Sequence, residues 1–249
     1  MIMREDRLTV IEKQLTERGR VVSVELAEML KVPVDMIRRD LRDLAARGTC
    51  RRVYGGAVKS AVKAMSIPGP KLSDLASRAA ALISPGQVVF IDAGRTNLAV
   101  AHAIGLELKA TIVTSSPAIA AALIPNGNIE LVVIGGRIDR EAGAAIGAMA
   151  LEEMRQWRFD LCLLGACAIA EEGVSALHVE DAAMKRALID ASTEVVVAAI
   201  ADKVGTRAPF HVCRLDRLAR MIVEQGAPAA ELERIRAAGV EVEEVGTDA

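Results

Sequence analysis

The sequence predicts a two-part protein: an N-terminal winged helix-turn-helix, then an α/β unit with a mostly parallel sheet flanked by helices. Three observations carry this. Charge is split: residues 1–63 hold 14 Lys and Arg against 9 Asp and Glu, and the remainder holds 17 against 24. Helical apolar periodicity fills the first part. From Gln87 onward, apolar strand-like runs alternate with helical segments, the pattern of a sheet covered on both faces.

At 249 residues the chain can bury a sizeable core, and 52% hydrophobic with 26% charged residues indicates a folded rather than disordered protein. No apolar run reaches the roughly 18–20 residues of a membrane span, and the N-terminus carries no signal-peptide core, so a cytoplasmic location is expected. Cys50, Cys162, Cys167 and Cys213 form no CxxC pair and have no zinc spacing with His102, His178 or His211. The thiols read as structural, and no metal or cofactor is expected.

Leu8, Ile11 and Leu15 mark a first helix that stops at Gly19. Ser23 can cap a second, whose buried side comes from Val24, Leu26, Ala27 and Leu30. After the break "KVP", Pro33 suits a first helical position and Asp35 the positive end of the helix dipole. Ile37, Leu41 and Leu44 then face inward at i, i+4 and i+7, so Arg38, Arg39 and Arg42 point elsewhere. "TCRRVYGGAV" adds a strand-like run and a Gly55-Gly56 hairpin. An arginine run alone is usually a solvated helix face, here pairable with Asp40 and Asp43. Two helices, a tight turn and a basic hairpin together point to double-stranded DNA.

Residues 59–70, "KSAVKAMSIPGP", lack periodicity and read as a linker between a 1–58 module and a 71–249 unit. In that unit "LSDLASRAAALI" resumes a helix, and "QVVFIDA", "TIVTSS", "IELVVIGG", "FDLCLLGACAI" and "EVVVAAIAD" read as strands. "RMIVEQ", a helix near 229–238 and a "VEVEEV" strand complete it. Ligands of open α/β sheets collect where the strands end. Those loops are "DAGRTN", "TSS", "GGR", "GACA" and "ADKVGT", rich in Gly, Ser, Thr and cations. "GRTN" has the parts of an anion cradle, although Gly and Thr are also ordinary turn residues. Asp92 and Asp202 suit sugar hydroxyls or a loop amide equally. Neither a Walker loop nor a strand followed by GxGxxG is present, and no catalytic set stands out.

With these residues in hand, the chain resembles the DeoR family of bacterial transcriptional regulators over nearly its whole length. "VSVELAEMLKV" followed by "MIRRDLRDLAARGTCRRVYGGAV" carries the specific part. "IDAGRTN", "IVTSSPAIA", "VVIGGR", "FDLCLLGACAI", "MKRALID" and "ADK" carry a looser part in the family's order. The resemblance implies a sensor domain of ribose-5-phosphate isomerase-like fold that binds phosphorylated sugars or related metabolites. It implies a repressor; helix-turn-helix proteins commonly bind paired half-sites as dimers, so a homo-oligomer is expected.

It places the effector at Asp92, Gly94, Thr96 and Asn97, with Thr114, Ser115, Gly135, Gly136, Arg137, Gly165 and Lys185 around it. Lys185 reads equally as a surface residue. Arg38, Arg39 and Arg42 would meet the major groove, while Arg51, Arg52 and Tyr54 of the wing meet the backbone. Pro33 and Met36 stand where the family usually has Ser and Thr, and Met36 offers a thymine methyl an apolar contact without a hydrogen bond. Arg95 replaces a usual Thr and adds a cation beside the cradle. The run Asp202-Lys203-Val204-Gly205 also departs from the family pattern. A sugar-phosphate isomerase with an accessory DNA module is the rival reading. It lacks the base that isomerisation needs, because Cys167 and Ala168 occupy positions that are acidic in isomerases.

Overall fold

In the computed structural model, which describes residues 4–46, 50–53, 55–59 and 70–246, the chain divides into two compact units, Met1–Ser66 and Ile67–Ala249. In the first, Leu8, Ile11 and Leu15 lie buried along one side of α1 (Arg4–Arg18). It is followed by β1 (Arg20–Val22), α2 (Ser23–Leu30), α3 (Val34–Ala46), β2 (Cys50–Val53) and β3 (Gly56–Lys59). The strands form an antiparallel sheet in the order β1-β3-β2. The hairpin expected at Gly55-Gly56 is present, whereas β1 is an addition to the three helices and hairpin anticipated. Gly55 has φ 80°, and a Cβ on Gly56 would stand 2.0 Å from the Val21 carbonyl oxygen. Glycine there is what lets β3 lie against β1.

Three local expectations are corrected. Ser23 is the first residue of α2 rather than its cap; Val22 precedes the helix and no side chain caps it. The Ser23 N–H instead donates to Gly55 O at 2.8 Å, tying α2 to the wing. Val24 is 50% exposed, because a step of about 100° turns it off the face shared by Leu26 and Ala27. Pro33 stands one residue before α3, its carbonyl accepting from the Met36 N–H at 3.0 Å. Lys31, at φ 51°, ends α2 in the left-handed conformation and sets the turn between the helices.

The second unit runs α4 (Pro70–Ala80), β4 (Val88–Ile91), α5 (Arg95–Ala103), β5 (Thr111–Thr114), α6 (Pro117–Leu123) and β6 (Glu130–Val133). Then come β7 (Arg137–Asp139), β8 (Ala144–Ile146), α7 (Ala148–Arg155), β9 (Phe159–Leu164), β10 (Ala168–Ala170) and β11 (Gly173–Ala176). The chain ends through α8 (Val179–Asp190), β12 (Ser192–Ala199), β13 (Phe210–Cys213), β14 (Arg220–Glu224), α9 (Ala229–Ala237) and β15 (Glu241–Val245). A seven-stranded sheet in the order β15-β14-β12-β9-β4-β5-β6 is parallel at every pairing. It is covered on both faces, as the apolar runs of its central strands demand. Along β9, Leu161 and Leu163 join the core that includes Leu75, Val100 and Ile119, from α4, α5 and α6. Cys162 and Leu164 join the other, with Met154, Leu188 and Leu232 from α7, α8 and α9.

The run "FDLCLLGACAI", expected as one strand, breaks after Leu164. Ala168 begins β10 in a small antiparallel sheet, β10-β11-β13. Among the described residues no helix is long and apolar enough to cross a membrane. The chain leaves β4 toward β5 and β6 on one side, while β9, β12, β14 and β15 fill the other. The crevice beyond the ends of β4 and β9 is therefore the topological switch point, where open α/β sheets bind ligands.

Candidate functional site

The first unit presents a cationic helix face. Ile37, Leu41 and Leu44 are fully buried, which leaves Arg38, Arg39 and Arg42 exposed on the opposite side of α3, with Met36 half-buried at its start. Asp40 and Asp43, the carboxylates that could have neutralised these arginines, are engaged by α1 instead. Asp40 is buried and accepts from Arg7 Nε at 2.5 Å and Arg7 Nη2 at 3.1 Å. Asp43 pairs with Arg4 at 2.5 Å. The hydrogen bond from Arg7 to Asp40 raises the arginine pKa further. Arg38 meets Asp35 at 3.0 Å in an exposed pair; Arg39 and Arg42 form no ion pair among the described residues. Arg52 is exposed on β2. Arg51 lies on β2 by its backbone, and Tyr54 falls outside the described residues.

At the switch point of the second unit, Asp92 is buried and joins three elements. Its Oδ1 accepts from the Ala93 N–H at 2.8 Å, and its Oδ2 accepts from the Gly165 N–H at 2.9 Å and from Lys185 Nζ at 2.5 Å. Lys185, on α8, is 3% exposed and also lies 3.2 Å from Asp181 Oδ1. The surface reading of Lys185 is thus corrected: packing of α8 against the sheet buries its ammonium between two carboxylates. Burial disfavours that charge, but Asp92 and Asp181 outweigh it and hold the pKa above the usual lysine value. Asp181, absent from the sequence-based site, moves the other way for a carboxylate: burial raises its pKa, with Lys185 opposing. Its spacing of four from Lys185 on one helix was the available signal. Asp92 thus anchors the Ala93 and Gly165 loop amides.

Gly165 must be glycine, since a Cβ would fall 2.3 Å from the Ala93 carbonyl oxygen. Asn97 is buried; its Nδ2 donates to Asp92 O and Leu163 O, both at 2.8 Å. Its Oδ1 is buried without a protein partner. Thr114 Oγ1 donates to Ile91 O at 2.6 Å and accepts from the Ser116 N–H at 3.1 Å. These two side chains shape the loops from inside. Ser115 is buried beside them.

Facing outward, Gly94 has φ 138° and precedes α5, with open space where a Cβ would be. The first turn of α5 offers the N–H groups of a helix start, Thr96 is half-buried, and the exposed Arg95 forms no ion pair among the described residues. This combination favours an anion. Around it, Gly135 and Gly136 are exposed after β6, and the Gly135 N–H lies 3.4 Å from Glu153 Oε2. Arg137 pairs with Glu180, whereas Lys203 Nζ donates to Ala166 O at 2.5 Å and so reaches the β9 loop. Asp202 is exposed on a short 3-10 turn.

A helix-turn-helix with an exposed arginine face, in one chain with an open α/β sheet, defines the class of DNA-binding transcriptional regulators. The DeoR-like helix-turn-helix domain matches residues 7–61 and the DeoR C terminal sensor domain matches residues 71–225. The chain belongs to the DeoR family. A putative aga operon transcriptional repressor of Escherichia coli O157:H7 is 29% identical over 253 residues, covering 97% of this chain and 94% of that protein. An HTH-type transcriptional regulator of Haloferax volcanii is 32% identical, covering 97% and 98%. The glycerol-3-phosphate regulon repressor of Escherichia coli K12 is 27% identical, covering 87% and 89%. Among solved structures, ribose 5-phosphate isomerase A of Methanocaldococcus jannaschii aligns over 51% of this chain and 50% of that one, with 16% identity and a TM-score of 0.36.

Proposed function

We propose that this regulator represses a carbohydrate or related metabolic operon in the cytoplasm, and that a phosphorylated sugar or similar anionic metabolite controls its operator affinity. Residues 1–58 are the DNA-binding domain, 59–70 the linker and 71–249 the sensor. Arg38, Arg39, Arg42 and Met36 enter the major groove, with Arg51, Arg52 and Tyr54 on the flanking backbone, and homo-oligomers span paired half-sites. The effector's anionic group sits on Gly94, Arg95 and Thr96. The rims at Ser115, Gly135, Gly136 and Arg137, with Asp202 and Lys203, surround its hydroxyls.

The observation that carries this reading is the α5 start at the switch point: a positive-φ glycine with open space beside it, the N–H groups of a helix start, and an exposed arginine with no ion pair among the described residues. An isomerase reading is disfavoured because Cys167 and Ala168 stand where isomerases carry acidic residues, which leaves no carboxylate base there. Isothermal titration of the full chain with a panel of sugar phosphates and sugar acids, without DNA, tests the site. One compound should bind the wild type and bind Arg95→Ala at least tenfold more weakly. Equal affinity for both proteins would remove the anion from this position.

A further inference from the structure

The opposite edge of the sensor sheet, where the strands begin, carries charge of the opposite sign to its unit. Two adjoining grooves open there, of about 510 Å³ and about 400 Å³, and share Arg186 and Asp190. Their linings bring together Arg155, Arg158, Arg186, Arg214 and Arg217 against Asp190 and Asp216, five positive charges to two negative. Residues 64–249 as a whole are seven charges negative (17 Lys and Arg, 24 Asp and Glu). The two aspartates are already committed: Asp190 lies 3.1 Å from Arg217 and Asp216 lies 3.6 Å from Arg214.

The other three arginines keep their charge. Arg158 Nη1 donates to the Trp157 carbonyl at 2.7 Å and to the Arg155 carbonyl at 3.3 Å, and Arg186 Nη1 donates to the His211 carbonyl at 2.6 Å. A carbonyl orients a guanidinium without neutralising it, so the charge stays available to an anion. Arg155 forms no ion pair among the described residues. All three are exposed. Clustered like charges raise the local potential and concentrate anions, and fixed guanidinium forks match phosphate geometry.

We propose that this arginine edge is a second anion site, distinct from the effector position, which takes a phosphate-rich polyanion through Arg155, Arg158 and Arg186. The phosphates come from DNA flanking the operator or from a soluble polyphosphate. The DNA source rests on the DNA-binding reading above; the soluble source does not.

The test uses full-length wild type and an R155Q/R158Q/R186Q variant, with R155Q alone should the triple variant melt early. Binding to an operator-length duplex and to one extended by about 20 base pairs on each side is measured across a salt series. If flanking DNA is the source, the log-log salt slope on the long duplex falls by about 0.9 for each phosphate the variant leaves unneutralised, up to about 2.7 for three. The slope on the short duplex stays unchanged. If the source is soluble, tripolyphosphate binds the wild type and not the variant, while both slopes hold. Unchanged slopes with no difference in tripolyphosphate binding would overturn the proposal. So would a fall in oligomer size on sedimentation, which would mean the edge meets carboxylates of a second copy. Metabolite control at the other edge should survive in the variant; its absence from wild type as well would count against the effector reading alone.

Discussion

Replacing Lys185 with Met removes the ammonium but keeps the length of an apolar stem. Its side chain is 4% exposed and lies 2.5 Å from one Asp92 oxygen and 3.2 Å from one Asp181 oxygen. The substitution leaves two carboxylates facing each other in the interior. Asp92 retains its bonds from Ala93 and Gly165, which soften the loss without supplying a counter-charge. Breaking a buried pair by removing one partner costs about 3–5 kcal/mol. For a unit of this size, about 4 kcal/mol corresponds to a melting shift of roughly 8–16 °C.

The assay is urea unfolding followed by fluorescence of Trp157, the chain's single tryptophan, which stacks on Phe159 at the start of β9. It therefore reports the sensor unit. Lys185 has a raised pKa in the fold, so its stabilisation is fully present below the unfolded lysine value near 10.4 and is lost only as pH rises through the folded value. The Met penalty should thus show no lysine titration between about pH 6 and 9. The double variant D92N/K185M should recover part of it, because an amide can replace the carboxylate without burying charge. A K185M penalty below about 1 kcal/mol would refute the claim that this ion pair holds the site together.

Three further outcomes follow from the same geometry. Because burial raises the Asp181 pKa, the ionised form costs stability at neutral pH. Asp181→Asn should match or exceed the wild type in the Trp157 urea assay at pH 7, and that advantage should vanish below about pH 4, where the unfolded carboxyl is itself protonated. Burial pushes the Cys162 and Cys50 thiols up and raises Cys213 to about 11, whereas Cys167 is half-exposed in the β9 loop. Native alkylation counted by mass spectrometry should label one thiol, Cys167, and a bound effector should slow it. On DNA, Arg42→Ala should reduce the salt slope by about 0.9 with uniform weakening if it meets phosphate, or lose about 1–3 kcal/mol of sequence discrimination if it reads a base. No change in either quantity would remove Arg42 from the interface.

The central parallel strands were legible because β4 and the second halves of β9 and β12 are unbroken apolar runs, which burial on both faces requires. β10, β11 and β13 were not: they are three or four residues long, too short to show a period. β1, three residues long, escaped notice for the same reason. The recognition helix could be read from Ile37, Leu41 and Leu44, but the partners of Asp40 and Asp43 could not, since they come from α1, 33 and 39 residues away. Lys185 and Asp92 are separated by 93 residues. Their pairing exists only once α8 packs on the sheet, so local spacing left Lys185 undecided. The proposed anion cradle at Gly94 to Asn97 was visible as a loop composition, yet sequence could not divide its residues by direction. Folding turns Asn97 inward and leaves Gly94 and Arg95 outside.

An anion at the C-terminal ends of the sensor strands should change how the arginine helix holds its operator. The most direct measurement is fluorescence anisotropy of the full chain on its own upstream DNA at fixed salt, with and without saturating amounts of each sugar phosphate and sugar acid. One compound should shift operator affinity about 5- to 150-fold, a coupling of about 1–3 kcal/mol, while binding to unrelated DNA stays constant. Operator affinity that is identical with a compound bound, as shown by calorimetry on the same sample, would contradict it.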